Sequence, residues 1–313
     1  MKIIITGASG FIGGALLDRL RGEQHEVICL SSSETGRARL LERHPDQEVY
    51  IWKRGADERM NAAITGAAAL VHLAWSTVPR TADQAPALDL LENVQLGIPL
   101  LDQALRSGVE RFIFLSSGGS VYGPQAELPI TEDRIPRPLS AYGISKLAFE
   151  HYLGSFCARG SMRPIILRPG NIYGRTRGLE RPQGVIEHWM HQIAEERPIA
   201  VWGDLSVVRD FVHIDDMIEV LMRALMYEGE HDIFNVGTGV GTSLAQILEM
   251  LSEITGRQVQ ITHHPPATAG MPDRNILSSE RLLREFGVLP EGSLQNGLAG
   301  LWKKIEHLKR SGA

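Results

Sequence analysis

A doubly wound, mostly parallel α/β sheet is the fold this sequence predicts, and three features predict it. Apolar, β-branched runs recur at 2–6, 26–30, 48–52, 69–73, 111–116 and 163–167. Most are separated by helix-length segments, an alternation that places helices on both faces of a parallel sheet. The first run leads straight into Gly7-Ala8-Ser9-Gly10-Phe11-Ile12-Gly13 and then into the apolar periodicity of Ala15, Leu16 and Leu20. Strand, tight turn and helix in that order make the sheet Rossmann-like. Gly7 lets the chain turn, Gly10 lets backbone N–H groups approach a pyrophosphate, and Gly13 lets the helix lie close to the strand.

The later elements follow from periodicity. Residues 83–106 carry Leu88, Leu91, Val94, Leu100 and Leu105 at broadly helical spacing, and 141–158 carry Leu147, Phe149, Tyr152 and Leu153. Both are expected as long helices on one face of the sheet. Arg, Gly and Pro crowd 176–184, which reads as a mobile loop. Helix 185–194 then begins a smaller lobe; the chain is expected to return to the sheet at 209–216, add a last strand at 231–236 and end in the lobe from Ser243. The expected organisation is a dinucleotide-binding unit over 1–170, with a return segment at about 209–238, and an interleaved C-terminal α/β substrate lobe over most of 171–313.

Composition narrows the function. The chain has 313 residues, 43% hydrophobic and 22% charged, which suits a globular protein and not a disordered one. A net charge of -5 and a pI near 6.1 offer no global basic field to nucleic acid or an acidic membrane surface. Its two cysteines, Cys29 and Cys157, lack metal-ligand spacing and read as buried packing thiols in a reducing compartment. No leader-like segment precedes the first strand and no apolar run reaches membrane length, so a cytoplasmic location is expected. His188 and His191 stand three apart and His263-His264 are adjacent, but neither pair has the further ligands a metal needs, so no metal is expected.

Tyr142 and Lys146 lie four apart and therefore share one helix face. A tyrosine with an ordinary pKa near ~10 is a poor base at neutral pH, and a nearby cation is what stabilises its phenolate. The spacing points to proton transfer.

Taken in order, the glycine turn, Ser116-Ser117-Gly118-Gly119-Ser120-Val121-Tyr122-Gly123, Tyr142-x-x-x-Lys146, Arg168-Pro169-Gly170-Asn171-Ile172-Tyr173-Gly174 and Arg209-Asp210-Phe211-Val212-His213-Ile214-Asp215-Asp216 resemble the extended short-chain dehydrogenase/reductases. Within these the chain is most similar to the NAD-dependent epimerase/dehydratase family that includes UDP-sugar 4-epimerases. The resemblance runs from Met1 to about Phe286. It implies a nucleotide-sugar 4-epimerase in which Tyr142 takes the C4 hydroxyl proton, hydride passes to bound NAD, and the 4-keto sugar turns over before hydride returns. It also implies a nucleotide-diphosphate sugar, UDP-linked, as substrate, and a homodimer built on the two long helices. An NADPH-dependent nucleotide 4-ketosugar reductase is the alternative, and a non-catalytic cofactor-binding protein is a third reading. A dehydratase is disfavoured, because Gly119-Ser120 stand where that group carries Asp-Glu.

For the cofactor the resemblance implies contacts from Gly7, Ser9, Gly10, Phe11, Ile12 and Gly13 at the first turn and from Ser31, Ser32 and Arg37 after the second strand. Asp57, Leu73, Ala74, Asn93, Ser116, Ser117, Tyr142, Lys146 and Pro169 complete that set. NAD is the expectation, yet no acid follows the second strand until Glu34, and Arg37 and Arg39 could pair with a 2′-phosphate, so NADP stays open. For the substrate it implies Ser117, Gly118, Asn171, Val185, Val201, Trp202 and Arg209, the arginine as a planar clamp for the diphosphate. Two departures from the family stand out. Gly118 occupies the place of a hydroxyl residue; if the chain is still extended there, strand parity lets Ser120 replace it, with Ser117 as second candidate. Thr268 and Met271 occupy the places of an Arg and an Asp, while Asp273 and Arg274 are out of register.

Overall fold

The computed structural model describes residues 1–52, 58–175, 184–265 and 272–311. Six strands of its seven-stranded main sheet come first: β1 (Lys2–Thr6), β2 (Glu26–Ser31), β3 (Glu48–Ile51), β4 (Ala69–His72), β5 (Arg111–Leu115) and β6 (Arg163–Pro169). The chain then forms β7 (Asn171–Tyr173), β8 (Ile199–Trp202), β9 (Val208–His213), β10 (Ile233–Val236), β11 (Gly241–Ser243), β12 (Ile261–His264) and β13 (Arg274–Asn275). The main sheet runs β10-β6-β5-β4-β1-β2-β3, and every pair in it is parallel. Strand order reverses between β1 and β4, which opens a crevice at their carboxyl ends.

Both faces of this sheet are covered, which is why its strands read as continuous apolar runs: Ile3, Ile4 and Ile5 are all fully buried. Helices Phe11–Arg21 and Ile214–Leu225 close one face; helices Leu96–Arg106 and Ala141–Cys157 close the other. A separate apolar cluster joins helices Val185–Ala194, Leu244–Thr255 and Leu294–Ser311, with Trp189, Leu251 and Leu301 in its interior.

Three expectations change. The helix expected over 83–106 is segmented: Pro86 starts a new helix, Pro86–Asp89, a π-helical turn follows at Leu90–Gln95, and an α-helix resumes at Leu96–Arg106. The return to the main sheet begins with helix Ile214–Leu225, not at Arg209, because β9 pairs with β7, β11 and β13 instead. Helix Glu280–Phe286 also packs on the main core, through Leu282 and Phe286. The loop expected at 176–184 lies, but for Gly184, outside the described residues, as do Asp57, Thr268 and Met271.

The glycine turn depends on close backbone contact. A Cβ on Gly13 would lie 2.2 Å from the Gly7 carbonyl oxygen, and Gly7 itself has φ +72° with a Cβ position 2.7 Å from the Ala74 nitrogen. Gly13→Ala is accordingly expected to cost about 1–3 kcal/mol by overpacking, read as a lower urea midpoint in circular dichroism; an unchanged midpoint would show that the turn can relax.

Candidate active site

The site is assembled at the carboxyl ends of the central strands. Helix Phe11–Arg21 starts at Gly10 with no side-chain cap, so its first N–H groups face the crevice as an anion cradle. Leu73 and Ala74 border it: the Leu73 N–H donates to the Thr6 carbonyl at 3.3 Å and the Ala74 N–H to Thr6 Oγ1 at 3.2 Å. The cradle, narrowed where a Cβ would intrude, fits a dinucleotide pyrophosphate.

At the end of β2 the hydroxyls of Ser31, Ser33 and Ser9 converge on Gly36, whose Cβ position would lie 2.6, 3.3 and 3.6 Å from them. Ser33 caps helix Glu34–Arg43 by accepting the Gly36 N–H at 3.1 Å. Arg37 faces the Glu34 carboxylate at 3.5 Å on the surface, so its charge already has a counter-ion. That pairing weakens the case for Arg37 as a 2′-phosphate clamp.

Ser140 caps helix Ala141–Cys157 and brings Tyr142 and Lys146 to the crevice. Lys146 is 3% exposed; its Nζ donates to the Leu115 carbonyl at 2.7 Å and sits 3.8 Å from the centroid of the Trp75 ring. Burial pulls the Lys146 pKa down to about 7 against the opposing pull of Glu150 and Asp89. Burial lifts the Tyr142 phenol above its ordinary value, and Asp89 adds to the rise. His72, on β4, is held neutral by burial and by Lys146, with its pKa down at about 3.

Below this pair lies a buried network. Both Glu150 oxygens are bonded to Arg168, with Nε at 3.0 Å; Ser116 Oγ donates to the same carboxylate; Arg168 Nη1 donates to Tyr122 OH at 2.9 Å, and that hydroxyl donates to Asn235 Oδ1 at 2.7 Å. Burial works against the Arg168 charge, but Glu150 outweighs it and holds its pKa above the usual range. Glu150 lies one helical turn beyond Lys146, a spacing that could have pointed to it in the sequence.

Several expected residues take other places. Ser116 is turned into this network, away from the crevice. The amide of Asn93 is engaged with Ser76, Thr77 and Asp89, so it shapes the segment after β4. Strand parity does not select Ser120: Gly118–Val121 is a helical turn, and Ser120 is buried in it, its carbonyl against Gly143. Gly118 has no room for a side chain, since a Cβ would lie 2.8 Å from the Arg168 carbonyl oxygen and 2.6 Å from Leu277 Cδ1. Ser117 is only partly buried, and its hydroxyl and Asn171 Oδ1 both border Gly119. Pro169 is buried at the end of β6.

In the second cluster, Val201 is fully buried and offers a pocket only its backbone, whereas Val185 is partly buried. Trp202 is 49% exposed at an edge strand and stacks on His264 at 4.4 Å. Arg209 is buried with no carboxylate in ion-pair range among the described residues. Its Nη1 donates to the Val208 and Pro272 carbonyls at 2.9 Å each. Desolvation lowers its pKa. A buried, unpaired guanidinium suits an anionic group such as a diphosphate.

A family profile described as the NAD dependent epimerase/dehydratase family matches residues 3–237. The chain belongs to that family. The UDP-glucose 4-epimerase of Mycolicibacterium smegmatis is 31% identical over 306 residues, 96% of each chain. The dTDP-4-dehydro-6-deoxyglucose reductase of Escherichia coli is 29% identical over 317 residues, 97% of each chain. The crystal structure of the Thermotoga maritima UDP-glucose 4-epimerase with UDP-glucose covers 100% of both chains with a TM-score of 0.89 at 29% identity. No described helix is long and apolar enough to cross a membrane.

Lys146 also leaves a thermodynamic signature. Between about 7 and the ordinary lysine value, the unfolded chain binds a proton that the folded chain does not, so this group makes stability rise with pH across that window. Without dinucleotide, Lys146→Met is expected to melt above the wild type at pH ~6, with the gap shrinking toward pH ~10, while turnover is lost. A gap that does not change with pH would contradict the buried-ammonium assignment.

Proposed function

We propose that this protein is a UDP-sugar 4-epimerase working with bound NAD. The observation that carries the reading is the Tyr142–Lys146 pair, with Lys146 Nζ pinned to the Leu115 carbonyl at 2.7 Å, in a chain similar to a 4-epimerase over 96% of its length. NAD, when bound, accepts hydride from C4 and returns it. The protein's own residues do the rest. Tyr142 takes the C4 hydroxyl proton and later restores it; Lys146 supplies the positive charge that makes its phenolate accessible. Ser117 bonds the reacting hydroxyl in place of a side chain at 118, Arg209 holds the diphosphate, and Asn171, Val185, the Val201 backbone and Trp202 border the nucleotide. In this reading residues 1–170 with the return from Ile214 to about 238 hold the dinucleotide, and most of the rest of 171–313 holds the nucleotide sugar. The similarity to a 4-ketosugar reductase keeps one alternative, which would consume added NADPH stoichiometrically.

The test is nuclear magnetic resonance of UDP-glucose incubated with the purified protein and no added reductant, where UDP-galactose is the expected product. Tyr142→Phe should lower turnover by about 10²–10⁴-fold with bound dinucleotide retained. Ser117→Ala should lose roughly ten- to hundred-fold, the value of a hydrogen bond to a charged partner, and Ser120→Ala much less. Near-wild-type turnover of Tyr142→Phe would sink the assignment, and a larger loss at Ser120 would restore that residue as the hydroxyl donor.

The same reading includes a homodimer. Helices in 86–106 and Ala141–Cys157 pack side by side and leave Leu88, Leu90, Leu91, Ile144 and Tyr152 exposed, an apolar surface suited to a C2 partner. Light scattering should give twice the 34.5 kDa chain mass, and Leu91→Glu with Ile144→Glu should halve it.

A further inference from the structure

Asp89 stands beside the proton-transfer pair without a role in the reaction described above. It is fully buried, yet no lysine or arginine among the described residues is in ion-pair range of it. Oδ1 accepts from Thr77 Oγ1 and from Asn93 Nδ2, the latter at 3.0 Å; Oδ2 is buried with no partner. The π-helical turn Leu90–Gln95 begins at the next residue and brings Asn93 over Asp89, so that Asn93 Nδ2 also meets the Asp89 carbonyl at 3.0 Å. Asn93 Oδ1 in turn accepts the N–H and the hydroxyl of Ser76, at 2.8 and 3.2 Å. Ser76 follows Trp75, the ring that covers Lys146 Nζ at 3.8 Å and meets Tyr142 edge-on at 6.2 Å. Trp75 Nε1 is buried and unpartnered as well. An indole N–H only donates and a carboxylate oxygen only accepts, so the two unpaired atoms are complementary.

We propose that Asp89 is a positioning residue of the proton-transfer site: through Asn93 and Ser76 it seats the Trp75 ring on the Lys146 ammonium, and it sets a fixed negative charge behind the Tyr142–Lys146 pair. The inference rests on the epimerase reading for the role of that pair. The elements packed against helix Pro86–Asp89 are helix Ala141–Cys157, helix Pro79–Gln84 and the π-helical turn Leu90–Gln95. Their ionisable groups are Tyr142, Lys146, Glu150, His151 and Tyr152 on the first, Arg80 and Asp83 on the second and Glu92 on the third; Glu150 is already bonded to Arg168 and Asp83 Oδ1 accepts the Ala141 N–H at 2.8 Å. Burial dominates at both members of the pair, but Asp89 lifts the pKa of each. Its charge therefore keeps Lys146 cationic against burial and keeps Tyr142 able to return the proton it has taken.

Asp89→Asn retains the volume and an acceptor for Thr77 while removing the charge. Tyr142 ionisation is followed by phenolate absorbance, as the difference between each protein and its Tyr142→Phe counterpart. The midpoint is expected to fall by about half a unit or more in Asp89→Asn, as loss of a nearby charge at an effective dielectric of ~20–40 requires. With UDP-glucose, kcat should fall several-fold while KM stays within about twofold. A folded Asp89→Asn protein with an unmoved midpoint overturns the proposal whether or not any sugar turns over, whereas a wild type that ignores UDP-sugars overturns only the epimerase reading. Should Asp89→Asn fail to fold by circular dichroism, Trp75→Phe replaces it. That change keeps the carboxylate and removes the indole from the Lys146 ammonium, so the pH at which Lys146 gives up its proton, read from the pH dependence of melting, should fall with bound dinucleotide unchanged; an unmoved Lys146 midpoint overturns the proposal here too.

Discussion

The buried pair of Glu150 and Arg168 is what sets helix Ala141–Cys157 on the sheet at the height the chemistry requires. A helix packed only through Phe149 and Leu153 could slide along an apolar surface, because dispersion is nearly indifferent to small shifts. A bidentate guanidinium–carboxylate contact is not indifferent: it fixes distance and rotation together. Through Ser116, Tyr122 and Asn235 the same contact reaches β5 and β10, so the helix, the turn after β5 and the sheet edge share one register. Removing one partner would strand a charge in the core, so such a pair is costly to break even where its net contribution is small.

With the helix so placed, Lys146 has to remain charged where water does not reach it. The Leu115 carbonyl, the Trp75 and Phe114 rings and the more distant carboxylates replace its hydration shell. None of these restores the full solvation of an ammonium, and burial therefore depresses the Lys146 pKa. Arg209 repeats the arrangement on β9, as a desolvated cation held by carbonyls with no carboxylate in ion-pair range among the described residues. Both sites are thus built to be completed by ligand: a cationic pocket favours a diphosphate, and a desolvated lysine favours a phenolate beside it. Stability is traded for these sites in the way that function commonly demands.

Much of this was legible in the chain. Strands buried on both faces announce themselves as apolar runs, and Gly7, Gly10 and Gly13 mark a turn whose steric demand is local. Tyr142 and Lys146 were legible because a helix converts a spacing of four into a shared face. Residues whose meaning comes from distant partners were not. Asp89 and Glu150 lie in helical segments, and packing is what reveals that both are buried. Ser116 and Ser120 looked like crevice hydroxyls, but the chain stops being extended at Gly118, and with that the alternation that aims side chains ends.

The sequence by itself determined the class of sheet, the glycine turn and the shared helix face of Tyr142 and Lys146, because each rests on contacts between near neighbours along the chain. Tertiary structure alone decided which of Ser116, Ser117 and Ser120 are buried, why position 118 is glycine, and where the charges behind Lys146 lie. Those depend on groups far apart in sequence, such as Leu277 and Arg168 against Gly118, or Ser76 against Asn93. No periodicity encodes such meetings, since they are set by how β4, β5 and β6 bring their carboxyl ends together.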